Sequence, residues 1–494
     1  MARPRRPRAL RAQGDARGAR SPRRAHRRAR APLHRRSADR RARERRDRRS
    51  VDPRPAAPLR PRPDCRPRMN SALSSPAFRR VLVAGFVSDS GDWMLFVALP
   101  LVVYRLSGSA LGTSFAFLLE LVPAVALAPV VARLVARFDR RRLLVTVTLV
   151  QAVAVVPLLV VQSEDTLDVL YVVIVVQASC SAIFEPAKDS WMPDLVDRDR
   201  LVSANALIGL AQNVGRLVGG PLGGALLAFG QLELVVAADA ASFVLAAVLL
   251  WSAPRDRAGA TGTAASEHGN AAAVRHGVLP ALRQRGMRAA FVSVGLAGAA
   301  QGLFLVLFVL FVTDTLGGSD AEVGLLRGIQ AVGSIAAGAA LGLFAVAVRP
   351  RRLIVVGALA FGAISLAVWN LPVLTTTLWP YVVLFILVGA PGVLLSTGYV
   401  SLIQTTAPDR GAAFAAYGLV AAVGQGAGLV TAGLIQPASG LLPLLEAQGV
   451  LYVFAGVTMM LRHRSASSDR PERSADSPTR SAAFTPRGEA SRSS

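Results

Sequence analysis

Residues 111–162 read LGTSFAFLLELVPAVALAPVVARLVARFDRRRLLVTVTLVQAVAVVPLLVVQ, with an arginine-rich segment between two long apolar runs. A helix of about 20 apolar residues is long enough to cross the ~30 Å hydrocarbon core of a bilayer. Spanning segments must pair every backbone polar group internally, and these runs lack the alternation typical of barrel strands. This stretch therefore predicts two transmembrane helices joined by a short basic loop.

The same pattern recurs along the chain and predicts twelve transmembrane helices, an all-α membrane protein. The predicted spans are 81–104, 111–134, 143–162, 168–187, 203–229, 233–252, 290–313, 322–347, 352–371, 379–403, 411–436 and 441–461. The longest internal linker, 253–289, lies between the sixth and seventh spans. The sequence thus predicts two six-helix halves, 69–252 and 290–461. Two such halves are typical of secondary transporters, whose substrate sites lie near the middle of the membrane.

The net charge of +25 over 494 residues is concentrated near the N-terminus. Residues 1–68 hold 26 arginines and six acids, whereas residues 69–461 hold 23 basic and 21 acidic residues. Because an Arg- and Pro-rich segment cannot bury much apolar surface, we expect 1–68 to be disordered. It is either a polybasic arm or a leader before a native start at Met69. The polar tail 462–494 is expected to be disordered too, and no nucleic-acid partner is predicted for the apolar body.

The basic residues of the loops predict the orientation of the spans. Alternate loops, beginning with the segment before the first span, hold 20 arginine and lysine residues, and the opposite loops hold only Arg105. Because basic loops stay in the cytoplasm, both termini are expected there, in an inner membrane. The lipid bilayer is thus a predicted partner, and a monomer is the predicted state.

Several classes of site are excluded by residue usage. The single lysine, Lys188, has no glycine-rich lead-in, so a phosphate loop for ATP is not expected. All five histidines lie outside the apolar runs, and the two cysteines lie far apart in the chain. No metal, no cofactor and no catalytic nucleophile are therefore predicted, and the chain is not expected to be an enzyme.

Four segments carry recognisable motifs: 90–93 (SGDW) followed by 98–100 (ALP), 136–142 (ARFDRRR), 186–207 (PAKDSWMPDLVDRDRLVSANAL) and 215–224 (GRLVGGPLGG). Together they resemble the major facilitator superfamily, and within it the macrolide-efflux-like and enterobactin-exporter-like branch. The resemblance covers residues 75–462 and implies an exporter that works by alternating access. It implies a gating role for Arg137, Asp139, Arg140 and Arg141 in the second of these segments.

The sequence departs from the family pattern at three places. The linker motif usually has an acid before its first arginine, where this chain has Ala136, so Asp139 is the candidate substitute. The fourth span lacks the arginine that many drug–proton antiporters carry. Proton coupling is thus implied by the resemblance alone. The proline of the fifth-span motif, Pro221, stands one residue closer to the following glycine pair than is usual.

Ionisable residues inside predicted spans are candidates for function, because burying them in a membrane is costly. Asp89 and Asp92 lie on one face of the first span, and two close carboxylates in a medium of low dielectric do not both ionise readily. With Glu120 they are candidates for proton coupling or substrate binding. The alternative for Asp92 is a static hydrogen bond or ion pair.

Arg216 is the deep cation of the first half, and we expect it to pair with Asp92 or Glu120, either structurally or as a transport-linked switch. Asp239 and Arg327 are expected nearer the outer surface, with Arg327 snorkelling or paired with an acid there. Possible pore-lining amides are Gln301, Gln330, Gln404 and Gln425. The aromatic content of 6% does not suggest an aromatic pocket.

Closely spaced glycines in the fifth span predict tight helix packing at the seam between the halves. They are Gly219, Gly220, Gly223 and Gly224, with Pro221 among them as a predicted kink. Altogether the sequence predicts a proton-coupled exporter of a small amphiphilic molecule. The alternatives are a facilitator, an importer, a lysolipid flippase, or a receptor or scaffold without transport.

Overall fold

A computed structural model describes residues 72–197, 200–230, 232–253, 280–284, 286–344 and 348–468 of the chain. Within these residues the regular structure is entirely helical. The predicted arm 1–68, most of the linker 253–289 and residues 469–494 lie outside the described residues.

The principal α-helices are numbered in chain order. They are α1 (Pro76–Ser107), α2 (Ala110–Ala126), α3 (Ala128–Arg137), α4 (Arg140–Ala154), α5 (Leu167–Leu195), α6 (Leu201–Ala228), α7 (Leu232–Ser252), α8 (Arg288–Leu310), α9 (Asp320–Phe344), α10 (Pro350–Asn370), α11 (Leu378–Thr406), α12 (Arg410–Ser439) and α13 (Leu442–Ser468). Short 3-10 turns extend α4 and α10, and a π-turn extends α8 to Thr315. The last helix continues past the predicted end of the final span at 461.

Ten helices among the described residues are long and apolar enough to cross a membrane, and α2 with α3 makes an eleventh if the bent pair is one span. The two axes of that pair meet at 54°. Pro129, in the first turn of α3, cannot donate a backbone hydrogen bond and clashes with the preceding turn, which accounts for the bend. The predicted span 111–134 is therefore two helices, and the chain is a multi-pass membrane protein.

The predicted fifth span corresponds to α6, a 28-residue helix that is not among those apolar enough to count as spans. It packs along α1 on one side and α9 on the other. A helix covered by protein on two sides needs little lipid-facing surface, which explains how a less apolar sequence is accommodated there.

The helices form two similar halves, α1–α7 and α8–α13. In the first half α1 packs against α6 and α7, and in the second α8 packs in the same way against α12 and α13. The halves meet along two seams, where α6 contacts α9 and α2 contacts α12. Each half thus contributes one glycine-rich helix, α6 or α12, to a seam.

The apolar cores show which end of the bundle is closed. One core cluster contains residues of both halves, including Leu101 and Val103 of α1 and Leu307 and Phe311 of the second half. Near the arginine-rich loops the halves instead have separate clusters. The halves are therefore joined at the end where α1 finishes, called here the Arg105 end. At the opposite, basic end the described residues of the two halves form no common core.

Candidate functional site

A cavity of about 520 Å³ lies between the halves. Its walls come from α1, α2 and α6 of the first half and from α8 to α12 of the second. A volume of this size suits a drug-sized molecule.

Five aromatic side chains line the cavity, although the aromatic content of the sequence did not suggest an aromatic pocket. Trp93, Phe96 and Phe117 come from the first half, and Phe304 and Phe361 from the second. The rings of Trp93 and Phe96 make an edge contact with centroids 4.8 Å apart. A low overall aromatic content does not reveal where the few rings lie, because residues distant in sequence converge on this cavity.

Arg216 lines the cavity, but its partners differ from those predicted. Its Nε donates to the carbonyl oxygen of Arg327 at 3.3 Å, and a terminal nitrogen donates to Oε1 of Gln330. Its guanidinium also lies over the ring of Trp93, 4.9 Å from the centroid. Among the described residues it forms no ion pair, so the predicted pairing with Asp92 or Glu120 is not observed. In place of an acid, Arg216 has two neutral acceptors across the seam and the ring face of Trp93 within its own half.

Arg327 also lines the cavity, between the two halves, and neither snorkels to the surface nor forms an ion pair with a described acid. Arg327 is only 6% exposed. Its guanidinium lies 5.2 Å from the ring centroid of Phe96 and 4.9 Å from that of Phe304. It contacts rings of both halves at once. The acids proposed for it have other partners, since Glu322 accepts from the backbone of Ser319 and Asp314 from Tyr104.

Glu120 and three glutamines belong to the polar lining, together with Asn213, Ser334 and Ser396. Glu120 of α2 is exposed to the cavity and is the one acid among the described residues that line it. Gln301, Gln330 and Gln425 line the cavity, whereas Gln404 does not. The amide nitrogen of Gln330 is buried and has no hydrogen-bond partner among the described residues.

Asp89 and Asp92 lie outside the cavity lining. Asp89 packs against Gly215 of α6. Asp92 is within electrostatic range of Asp239 on α7, whose carboxylate lies against Gly91. Asp239 is fully buried, and neither of its carboxylate oxygens has a hydrogen-bond partner among the described residues.

The basic loop between α3 and α4 is held by contacts to the ends of other helices. Arg140 forms an ion pair with Asp194 at the end of α5, with 3.0 Å between nitrogen and oxygen. Arg141 donates to the carbonyl oxygen of Trp251 and lies over its ring. Asp139, considered as a charge partner, instead caps α4 by accepting from the backbone nitrogen of Arg142 at 2.8 Å. Arg137, the last residue of α3, is exposed.

The glycines of α6 face two different neighbours. Gly219 and Gly223 pack against α1, where a Cβ on Gly219 would lie 2.8 Å from the Cβ of Trp93. Gly220 and Gly224 pack across the seam against Gly324 and Gly328 of α9. Pro221 lies within α6, which continues through it as one helix, and its ring packs on Gly328. The seam at this level is thus backbone against backbone.

Polar contacts at the Arg105 end also join the halves, and sequence reasoning missed them. Arg105 at the end of α1 forms an ion pair with Asp320 at the start of α9. Tyr104 donates to Asp314 with an oxygen–oxygen distance of 2.5 Å. The isolated Arg105 among acid-containing loops was the one signal in the sequence that could have indicated a partner there.

A helical membrane bundle of two similar halves around a cavity that both halves line is the architecture of a transporter of small molecules. The profile of the Major Facilitator Superfamily matches residues 81–297 and 290–493. The chain belongs to this superfamily.

Two relatives among known proteins are similar to this chain. The multidrug efflux pump Tap of Mycolicibacterium fortuitum is 24% identical over 406 residues, which cover 79% of this chain and 96% of Tap. The uncharacterized MFS-type transporter YfiS of Bacillus subtilis (strain 168) is 30% identical over 191 residues. The match with YfiS covers 37% of this chain and 45% of that protein.

Solved structures share the fold at low sequence identity. An inward-facing bacterial homologue of the iron transporter ferroportin has a TM-score of 0.62 at 15% identity, covering 78% of this chain and 98% of that one. An inward-facing, unoccupied bacterial homologue of the human lysosomal transporter Spinster has a TM-score of 0.59 at 16% identity. The match covers 80% of this chain and 98% of that one. These likenesses show the fold of the chain.

Proposed function

We propose that this protein exports a small amphiphilic molecule across the inner membrane by alternating access. The observation that carries the proposal is the cavity, which combines aromatic rings with charged and amide side chains and is lined by both halves. The likeness to the efflux pump Tap along nearly its whole length supports export over import. The macrolide-efflux-like branch remains the proposed place of the chain within the superfamily.

The proposed topology has twelve spans, with α6 as the one that apolarity alone does not identify. Both termini and the basic end are then cytoplasmic by the positive-inside rule. With this orientation the common core of the two halves closes the outer side. We propose that this conformation loads substrate from the cytoplasm, and that the working protein is a monomer.

We further propose that protons drive the export. The carboxylates of Asp89, Asp92 and Glu120 remain the coupling candidates, and the burial of Asp239 beside Asp92 adds a fourth. A carboxylate that is buried away from water, without a hydrogen-bond or ion-pair partner, is costly to keep charged. Its protonation therefore changes its contacts with neighbouring helices. Arg216 fits substrate binding better than a switch pair with Asp92, because its partners lie across the seam.

Efflux from cells that express the full chain tests this proposal. A panel of lipophilic dyes and antibiotics, including macrolides, is loaded into energised cells with and without a protonophore. We expect at least one compound to leave faster than from cells carrying an empty vector, and the protonophore to abolish the difference. Uncoupler-insensitive efflux refutes the proton coupling. Retention of every compound, with the protein present in the membrane, refutes export.

A further inference from the structure

We propose that Arg216, Arg327 and Gln330 form a binding site for an anionic group of the substrate. The proposal deepens the proposed export function and rests on it. The compounds that fit carry a carboxylate, sulfonate or phosphate attached to a flat apolar ring system.

The charge balance of the cavity is the first argument. Two arginines and one acid, Glu120, are the ionisable residues of its lining. Neither arginine has an ion-pair partner among the described residues. Glu120 is within electrostatic range of Arg327 but forms no ion pair with it, so the lining as described keeps one positive charge in excess. Such a charge is costly to bury, and Arg327 is only 6% exposed. An anionic ligand supplies the missing charge.

Unused hydrogen-bond donors are the second argument. A guanidinium carries five N–H donors, and Arg327 makes no hydrogen bond through its side chain to any described residue. Gln330 is 5% exposed, and its Oε1 is held by Arg216 while its amide nitrogen has no partner. Because Gln330 bonds Arg216 directly, donors of α6 and α9 converge on one part of the cavity. Charge-assisted hydrogen bonds to an oxyanion are stronger than bonds between neutral groups.

The aromatic neighbours explain how the arginines are held in place within the cavity. Arg216 lies over Trp93, and Arg327 over Phe96 and Phe304. Cation–π contact stabilises a guanidinium without using its N–H donors. The same rings offer an apolar surface beside the proposed anion site. A cationic drug would instead meet a lining with one positive charge in excess.

Binding of three matched probes to the full chain in lipid nanodiscs tests the proposal. The probes are 2-naphthoate, its uncharged amide 2-naphthamide, and the cation 2-naphthylmethylammonium. Equilibrium dialysis measures binding, and empty nanodiscs correct for uptake by lipid. Naphthoate is expected to bind at least about tenfold more tightly than naphthamide, and the cation is expected to bind most weakly. Equal affinities, or no measurable binding of any probe, overturn the proposal.

Variants assign the preference to the two arginines. Arg327→Gln and Arg216→Gln are each expected to weaken naphthoate binding about tenfold or more, with the affinity for naphthamide held within about twofold. Arg410→Gln removes the same charge at an exposed position outside the cavity and should keep the preference. Arg327→Lys, which keeps the charge but loses the planar fork, should keep part of it. An unchanged preference in both glutamine variants overturns the proposal.

The binding and transport assays separate this inference from the proposed function. A clear preference for naphthoate without efflux of any compound refutes export but supports the anion site. Efflux of neutral or cationic compounds without any anion preference in binding supports export but refutes the anion site.

Discussion

Replacing Gly224 with alanine tests whether the contact of α6 with α9 holds the Arg105 end closed. A Cβ at position 224 would lie 2.9 Å from the Cα of Gly324 and 3.0 Å from its nitrogen, with the carbonyl oxygen of Asp320 closer still. All three are backbone atoms, so no side chain can rotate away. The helices must separate by roughly 0.5–1 Å to reach ordinary contact.

Overpacking of this kind costs about 1–3 kcal/mol. Because the strain exists only while the seam is closed, the closed population falls relative to the open one by about 5- to 150-fold. Gly209→Ala is the matched control on the same helix, since no atom lies within 4 Å of the Cβ that it adds.

Pulsed electron paramagnetic resonance measures the shift. Spin labels at Asp165 and Thr376, both exposed in loops at the Arg105 end, report the separation of the halves. Both cysteines, Cys65 and Cys180, are first replaced by serine. We expect a longer label distance in a larger fraction of Gly224→Ala molecules, and the parent distribution in Gly209→Ala. An unchanged distribution in Gly224→Ala refutes the argument that this seam holds the closed state.

Three further predictions concern charged residues. Arg105→Gln should lengthen the same label distance, because it leaves the carboxylate of Asp320, whose side chain is only 4% exposed, without the cation that compensates its charge. An unchanged distance distribution contradicts a role of this pair in holding the end closed. Arg140→Glu should slow efflux by breaking the ion pair with Asp194, and adding Asp194→Arg should restore part of the rate. A double variant that is no faster than Arg140→Glu alone argues against a role of this ion pair in transport. Asp92→Asn should abolish protonophore-sensitive efflux while membrane insertion, measured by surface labelling, stays normal; wild-type efflux removes Asp92 from the mechanism.

The fold was largely predictable because the signals that determine it are local. Apolar runs long enough to span a bilayer are read directly from the chain, and the arginines of the loops report the side on which each loop lies. Two predicted spans differ from the structure, and each difference has a physical cause. Pro129 divides one predicted span into α2 and α3. The helix α6 is less apolar than a lipid-facing helix because other helices cover it.

The candidate site was predictable only in part, because its geometry depends on contacts between distant segments. Arg216 was identified as a buried cation from its depth in an apolar run. Its partner Gln330 comes more than a hundred residues later, so nothing near Arg216 indicated a neutral partner rather than an acid. For the same reason the sequence did not indicate the neighbours of Arg327, which are rings of both halves and not an acid.

By itself the sequence determined that this is a helical membrane protein with two similar halves, because hydrophobic length and loop charge act within each segment. Its motifs also pointed to the superfamily to which the chain belongs. Only the tertiary structure decided which residues meet in the cavity and which end of the bundle is closed. Those features depend on how two halves pack against one another, and the packing of Gly224 on Gly324 or of Arg327 on Phe96 is encoded in no single stretch of the chain.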